Sequence, residues 1–382
     1  MTVEHRQDVY EFPLKETGET VSYEIRGLGG DQEMEAWAHF CASVFAYKEN
    51  PPPASYFERH YHNDPTRVAS LIRVAMLDGK IVASCRLFLR SISNGAGMSL
   101  SAGGIGEVCT SDDHRRRGLS KVLLQNVIDI MKERQLQVSL LHASPEFFPV
   151  YEKAGGYACS KSQWSVVPIN TGKLQQAAAS IATTTSTTTI REASFPDDTD
   201  RLSALHRNYS EARFSGCMIR SNEYWNQYLC QELIGTFYVL QMDDDIVAWI
   251  SLRPRGLAKV QLREFGVDTT LENGSQVITT SMALTLLLAH AMKELEHSTT
   301  TSLAEEEWIH SALPTFVLEE CRSTSPTTGS EKECLSYVDW SKLTPNDDLG
   351  WMYKILNEKA VPSIESINGT HTPHLIWPSD SF

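Results

Sequence analysis

The run Glu107–Ser120, EVCTSDDHRRRGLS, holds the residue types and spacing in this chain that could do chemistry. An apolar stretch ends at Thr110, a polar turn brings Arg115, Arg116, Arg117 and Gly118 together, and a helical pattern begins at once. Val122, Leu123, Val127, Ile130 and Met131 share one face of that helix. Strand, tight turn and helix in this order make an anion site, because the first amides of the helix are free, its end is positive, and glycine admits a phosphate oxygen close to the backbone. The arginines add charge-assisted hydrogen bonds suited to a pyrophosphate. The plain alternative is an arginine-rich first turn of a solvated helix, but such a helix prefers acids there. Other titratable groups show less order. His60, His62 and His114 lack Cys or Asp partners at metal-ligand spacing, so they read as surface or supporting groups and no metal is expected. The eight cysteines include no CxxC pair, which argues against a zinc ribbon or a disulfide scaffold and for reduced thiols. No Walker loop or Ser/His/Asp ordering stands out.

The elements that must position this run alternate strand and helix. Residues 21–28 alternate as a strand, and Met34, Trp37, Ala38, Cys41 and Phe45 share a helical face that Pro51–Pro53 closes. Residues 71–77 and 81–89 flank Asp78-Gly79-Lys80 as a hairpin, 105–110 is a short strand, 138–144 an apolar strand, and 147–158 a short helix. Trp164–Val167 reads as the last strand of this first unit. QQAAASIATTTSTTT (175–189) reads as a linker. From Ile190 the order repeats: strand, helix, a hairpin with Asp243-Asp244-Asp245 at its turn, a strand at 259–268 and a helix at 281–295. The second joint, DTTLENGSQ, lacks the glycine-containing arginine loop, and 322–333 reads as a flexible loop. Trp351, Met352, Tyr353, Ile355, Leu375, Ile376 and Trp377 give the tail enough apolar content to pack. The expected division is 1–174 (catalytic lobe), 175–189 (linker), 190–345 (a second, degenerate lobe) and 346–382 (packed tail), in an α/β fold of two tandem lobes with mixed, mostly antiparallel sheets.

The chain has 382 residues, 41% hydrophobic and 21% charged, which fits a packed protein of more than one core. Its net charge of −14 argues against nucleic-acid binding and favours cationic partners. The first 30 residues carry charges where a signal peptide needs an apolar run, and Val277–Met292 is too short and too polar to span a bilayer. The expectation is a soluble, cytoplasmic protein with no membrane partner, for which the sequons at Asn208, Asn273 and Asn368 are chance matches. The oligomeric state, a homo-oligomer included, is left open.

Arg115-x-x-Gly118-x-Ser120 resembles the acyl-CoA pyrophosphate loop of the GCN5-related N-acetyltransferases (GNAT), whose pattern is Q/R-x-x-G-x-G/A. Ser120 departs from it, one small residue for another. The strand LLHAS and the helix FFPVYEKAGGYA look like that family's next two elements, and the resemblance covers roughly 20–168. His114 to Leu119, preceded by Val108-Cys109-Thr110, is similar to the enhanced-intracellular-survival group, which has two such lobes in tandem. Gly216-x-x-x-Arg220-x-x-x-x-Trp225 matches a segment of that group's second lobe. The residues after the second lobe are too few for that group's full sterol-carrier-like domain.

The resemblance implies acetyl-CoA as cosubstrate and no metal. Val108, Cys109 and Thr110 would offer strand-edge backbone to the pantetheine arm. Arg115, Arg116, Arg117, Gly118, Leu119, Ser120 and Lys121 would surround the pyrophosphate, and Ser144 would lie near the thioester. It implies Tyr151 as the acid that protonates the departing thiolate, with Tyr157 nearby as the other tyrosine to weigh. For the base it implies the carboxylate of Phe382, with Glu107 as fallback. The acceptor would be a primary amine of a cationic small molecule or a lysine-containing peptide. The other reading is a catalytically inactive, acyl-CoA-binding regulatory protein.

Overall fold

The computed structural model describes residues 6–14, 18–48, 50–159, 164–184, 188–254, 259–268, 278–298, 307–323, 335–345, 350–361 and 374–380. The first lobe runs β1 (Asp8–Pro13), β2 (Thr20–Gly27), α1 (Met34–Val44), α2 (Ala54–His62), β3 (Ile72–Leu77), β4 (Lys80–Asn94), β5 (Ser99–Thr110), α3 (Leu119–Glu133), β6 (Val138–His142), α4 (Phe148–Gly155) and β7 (Ala158–Cys159). Left-handed Asp78 and Gly79 (φ 49° and 74°) close the β3–β4 hairpin, whose register pairs Leu77 with Lys80. Helix α3 buries Leu119, Leu123, Leu124, Val127, Ile128, Ile130 and Met131 against the sheet, the apolar stripe of its sequence. Helices α1 and α2 cover the other face through Trp37, Cys41, Phe57 and Tyr61.

The rest of the chain continues as β8 (Trp164–Asn170), α5 (Thr171–Thr184), β9 (Thr188–Glu192), α6 (Thr199–His206), β10 (Ser215–Met218), α7 (Cys230–Glu232), β11 (Phe237–Met242), β12 (Asp245–Pro254), β13 (Lys259–Val267), α8 (Thr280–Ser298), β14 (Trp308–Pro314), α9 (Thr315–Ser323), β15 (Thr344–Pro345) and β16 (Trp351–Ile355). Among the described residues the first sheet has the order β1-β2-β3-β4-β5-β6-β16-β7, with β10 added against β4, and the second β15-β8-β14-β13-β12-β11-β9. Neighbours are antiparallel except β5–β6 and β13–β14, the same place in each lobe. Asp243 and Asp244 (φ 48° and 69°) form the β11–β12 turn.

Three boundaries differ from the sequence reading. Residues 175–184 belong to α5, because Leu174, Ala177 and Ile181 fall on one face and are buried in the second core. Trp164–Val167 opens β8, which pairs with β14 of the second sheet and not with the first. The tail supplies β16, which lies between β6 and β7. Each lobe's parallel pair is thus flanked by an antiparallel strand from a distant part of the chain. Most of DTTLENGSQ and of the 322–333 loop lies outside the described residues.

Candidate active site

Strands β5 and β6 pair only from Ala102–Ile105 to Val138–Leu141, after which β5 runs on to Thr110 bonded to β4 alone. The register then jumps from Arg86–Gly106 to Ser84–Cys109, so Glu107 and Val108 face the single residue Cys85, with Glu107 left-handed at φ 50°. This bulge bends β5 away from β6 and opens one strand edge. The Ser111 amide donates to the Val82 carbonyl at 3.0 Å. By strand alternation the Cys109 backbone also faces β4, while Val108 and Thr110 face the open edge. The Thr110 carbonyl accepts from Arg115 Nε at 3.3 Å. The hydroxyls of Thr110 and Ser111 are buried and lack hydrogen-bond partners, so a ligand extended along this edge would find polar groups to satisfy.

Beyond the edge the turn presents its amides. Gly118 (φ 79°) precedes α3, whose first backbone bond runs from the Val122 amide to the Gly118 carbonyl at 3.1 Å. The amides of Leu119, Ser120 and Lys121 therefore precede the helical ladder. A β-carbon at Gly118 would lie 2.9 Å from Tyr10 Oη. The three arginines are not equivalent. Arg115 pairs with Asp112 at 2.8 Å. Arg117 donates to the Asp113 carbonyl and to Tyr23 Oη, both at 2.7 Å. Arg116, left-handed at φ 61° and exposed, has no partner among the described residues. Ser144 lies exposed at the end of β6, its carbonyl accepting the Phe147 amide at 2.9 Å. Open edge, orphaned hydroxyls, free amides and an unengaged arginine fit the acyl-CoA that the loop pattern implies.

Tyr151 lies on α4, the helix that follows β6. Its ring lies 6.3 Å from that of Tyr157. Burial, with the neighbouring thiols of Cys85 and Cys109, holds its hydroxyl protonated well above the usual phenol range. The Tyr157 hydroxyl is committed to Ser139 Oγ at 2.7 Å. The Tyr151 hydroxyl forms no hydrogen bond among the described residues, which separates the two tyrosines. Glu107 on the bulge has a side chain only 6% exposed, with Oε1 at 3.4 Å from Arg86. Its Oε2 is buried without a partner. Burial pushes its carboxyl up, with Arg86 and His60 opposing. Arg86 is shared with Asp64 at 3.4 Å, and Asp64 is held by Arg90 at 3.1 Å. Burial would raise Asp64, but the two guanidiniums outweigh it and hold it low.

The second lobe closes over this network. His60, read from sequence as a surface or supporting group, is buried, with Nε2 3.1 Å from Glu232 of α7. His62 is exposed, and His114 bonds Tyr23. Arg90, Thr66 and Leu89 of the first lobe and Met218, Ile219 and Tyr224 of the second line a cavity of about 240 Å³. Sequence reasoning missed Tyr10, Tyr23, Asp64, Arg86 and Glu232, whose partners lie far away in the chain. Arg220, singled out by the Gly216–Trp225 segment, is fully buried between Glu264 (2.6 Å) and Asp380 (2.7 Å). Phe382 lies outside the described residues. Among these, no three metal-ligating side chains converge and no helix is long and apolar enough to cross a membrane.

A family model for the acetyltransferase (GNAT) domain matches residues 24–159, the span that holds the split strands and the loop. No curated protein matches the chain. Solved structures share its fold at low identity. A probable N-acyltransferase from Enterococcus faecalis is 13% identical with a TM-score of 0.56, over 87% of this chain and 73% of that one. A GCN5-related N-acetyltransferase from Anabaena variabilis is 14% identical with a TM-score of 0.56, over 88% and 73%. Eis1 from Mycobacterium abscessus is 14% identical with a TM-score of 0.55, over 88% and 74%. Residues 24–159 of the first lobe match the GNAT acetyltransferase domain, and the chain as a whole shares the fold of these solved structures.

Proposed function

We propose that the protein transfers an acetyl group from acetyl-CoA to the primary amine of a cationic acceptor, a small amine or a lysine side chain. The observation that carries this reading is the open β5 edge, which starts at the bulge that carries Glu107 and is followed by the arginine turn. Val108 and Thr110 align the pantetheine arm; the amides of Leu119, Ser120 and Lys121, with Arg116, bind the pyrophosphate. The acceptor enters as an ammonium, and Glu107 Oε2 takes its proton, directly or through water. The amine attacks the thioester carbon, the carbon–sulfur bond breaks, Tyr151 gives its hydroxyl proton to the departing sulfur, and the proton that the nitrogen sheds on becoming an amide restores the phenol through water. The net charge of −14 supports a cationic acceptor. Locally, Asp64 and Glu232 already face guanidiniums, so an incoming ammonium competes with Arg86 for Glu107 alone.

The test is release of free CoA thiol from acetyl-CoA across polyamines, lysine peptides and neutral amines, at low and high salt. Turnover confined to the cationic amines and weakened by salt is expected. Turnover only with neutral or anionic amines, indifferent to salt, defeats the acceptor assignment. Acetyl-CoA binding without turnover on any amine would leave a binding protein.

A further inference from the structure

We propose that Tyr10 and Tyr23, on the N-terminal β1–β2 hairpin, are positioning residues that hold the acyl-CoA pyrophosphate turn in its binding conformation. The proposal rests on the reading of residues 115–121 as that site. Both tyrosines lie upstream of the residues matched by the GNAT domain, which begin at 24.

The contacts converge on one turn. Tyr10 Oη donates to the Arg117 carbonyl at 3.0 Å. Arg117 donates to Tyr23 Oη at 2.7 Å, and Tyr23 Oη lies 3.0 Å from His114 Nδ1, with the two rings edge to face. A guanidinium can only donate, so the Tyr23 oxygen accepts from Arg117 and its proton goes to His114 Nδ1. His114 is then neutral with the proton on Nε2. Burial and the Arg117 charge hold its pKa below 6.5 in agreement, with Asp113 opposing. The hydrogen-bond chain fixes both ends of a turn that carries a left-handed non-glycine residue, Arg116, a conformation the backbone does not keep without outside contacts. Arg117 thus supports the loop from behind and leaves Arg116 as its free cation.

The test compares a ligand that has the pyrophosphate with one that lacks it. Tyr10→Phe and Tyr23→Phe keep the rings and remove only the hydroxyls. Titration calorimetry with CoA should show the double variant weakened by roughly tenfold, the loss expected for hydrogen bonds to charged groups. Turnover at saturating acetyl-CoA, and kcat/KM with acetyl-pantetheine as donor, should stay at the wild-type level. Unchanged CoA affinity overturns the proposal, as does an equal loss with acetyl-pantetheine, which would mark general destabilisation. If the double variant fails to fold, the single variants Tyr10→Phe and Tyr23→Phe carry the same comparison, each removing one hydroxyl from the brace. A wild-type protein that bound no CoA would instead remove the underlying site assignment.

Discussion

Glu107 keeps one carboxylate oxygen without a partner where burial penalises its charge. That arrangement costs stability and is kept where a proton must be taken. The sign of its pH effect follows. A base works ionised, and the carboxyl is held above its ordinary 4.5, so kcat/KM should rise with pH through a limb that starts above that value. Glu107→Gln should remove this limb and cost ~10²–10⁴-fold in rate. Asp64→Asn should move the limb downward, because the Asp64 charge raises Glu107 and its loss frees Arg86 to pair more closely. A pH–rate profile for each variant decides; an unmoved limb in both would exclude Glu107. Tyr151→Phe belongs to the other half of the reaction. It should lower kcat by a similar ~10²–10⁴-fold with CoA affinity intact, because the ring still packs and only the proton is lost. Full turnover in that variant would assign the leaving-group proton elsewhere.

The turn between β5 and α3 acts as one element, and its arginines divide the work. Arg116→Ala removes a cation that holds nothing else, so CoA affinity should fall and the salt dependence of binding flatten, at about 1.5–3 kcal/mol per charge-assisted bond lost. Titration of CoA at two salt concentrations checks this; an affinity and salt slope equal to the wild type's would rule Arg116 out. The turn was legible because its signal is local: glycine, arginines and the α3 stripe all lie within a short span. The same holds for the two hairpins, closed by left-handed Asp78-Gly79 and Asp243-Asp244. Helix α5 was legible in principle, since Leu174, Ala177 and Ile181 keep helical spacing, but the threonines around them read as low complexity. Strands β8 and β16 were not legible as to partner. Trp351–Ile355 is apolar apart from Lys354, yet its neighbours β6 and β7 lie some two hundred residues upstream, a pairing no local pattern encodes. His60 and Glu232 meet across the same kind of separation. What the sequence carried was the local shape of a contiguous loop; what it hid were long-range contacts such as these.

Strand exchange makes the two lobes one folding unit. β8 completes the second sheet before that lobe's own strands begin, and β16 completes the first sheet after they end. The tail that follows is locked by Arg220, which bonds Glu264 and Asp380 with all three side chains fully buried. Neither lobe can lose its core without releasing a strand the other needs, so urea unfolding should show one cooperative transition rather than two. Arg220→Ala should lower that transition as a whole by about 3–5 kcal/mol, because it leaves two carboxylates buried without their cation. The pH dependence separates this from simple loss of packing. In the native protein burial would raise Glu264, but Arg220 wins and holds it at about 2, so its contribution is present above 4.5 and lost as pH falls toward 2. Asp380 works the other way. Burial and the Glu264 charge raise it against Arg220, and its ionised form costs stability once pH exceeds that raised pKa. Without the guanidinium both carboxyls are raised, so the variant should regain more stability on mild acidification than the native protein, in which Asp380 alone is raised. Unfolding curves at neutral and mildly acid pH measure the gap. A deficit that stays constant with pH would mean the tail is held by Leu375 and Trp377 packing into the second core rather than by the buried charges.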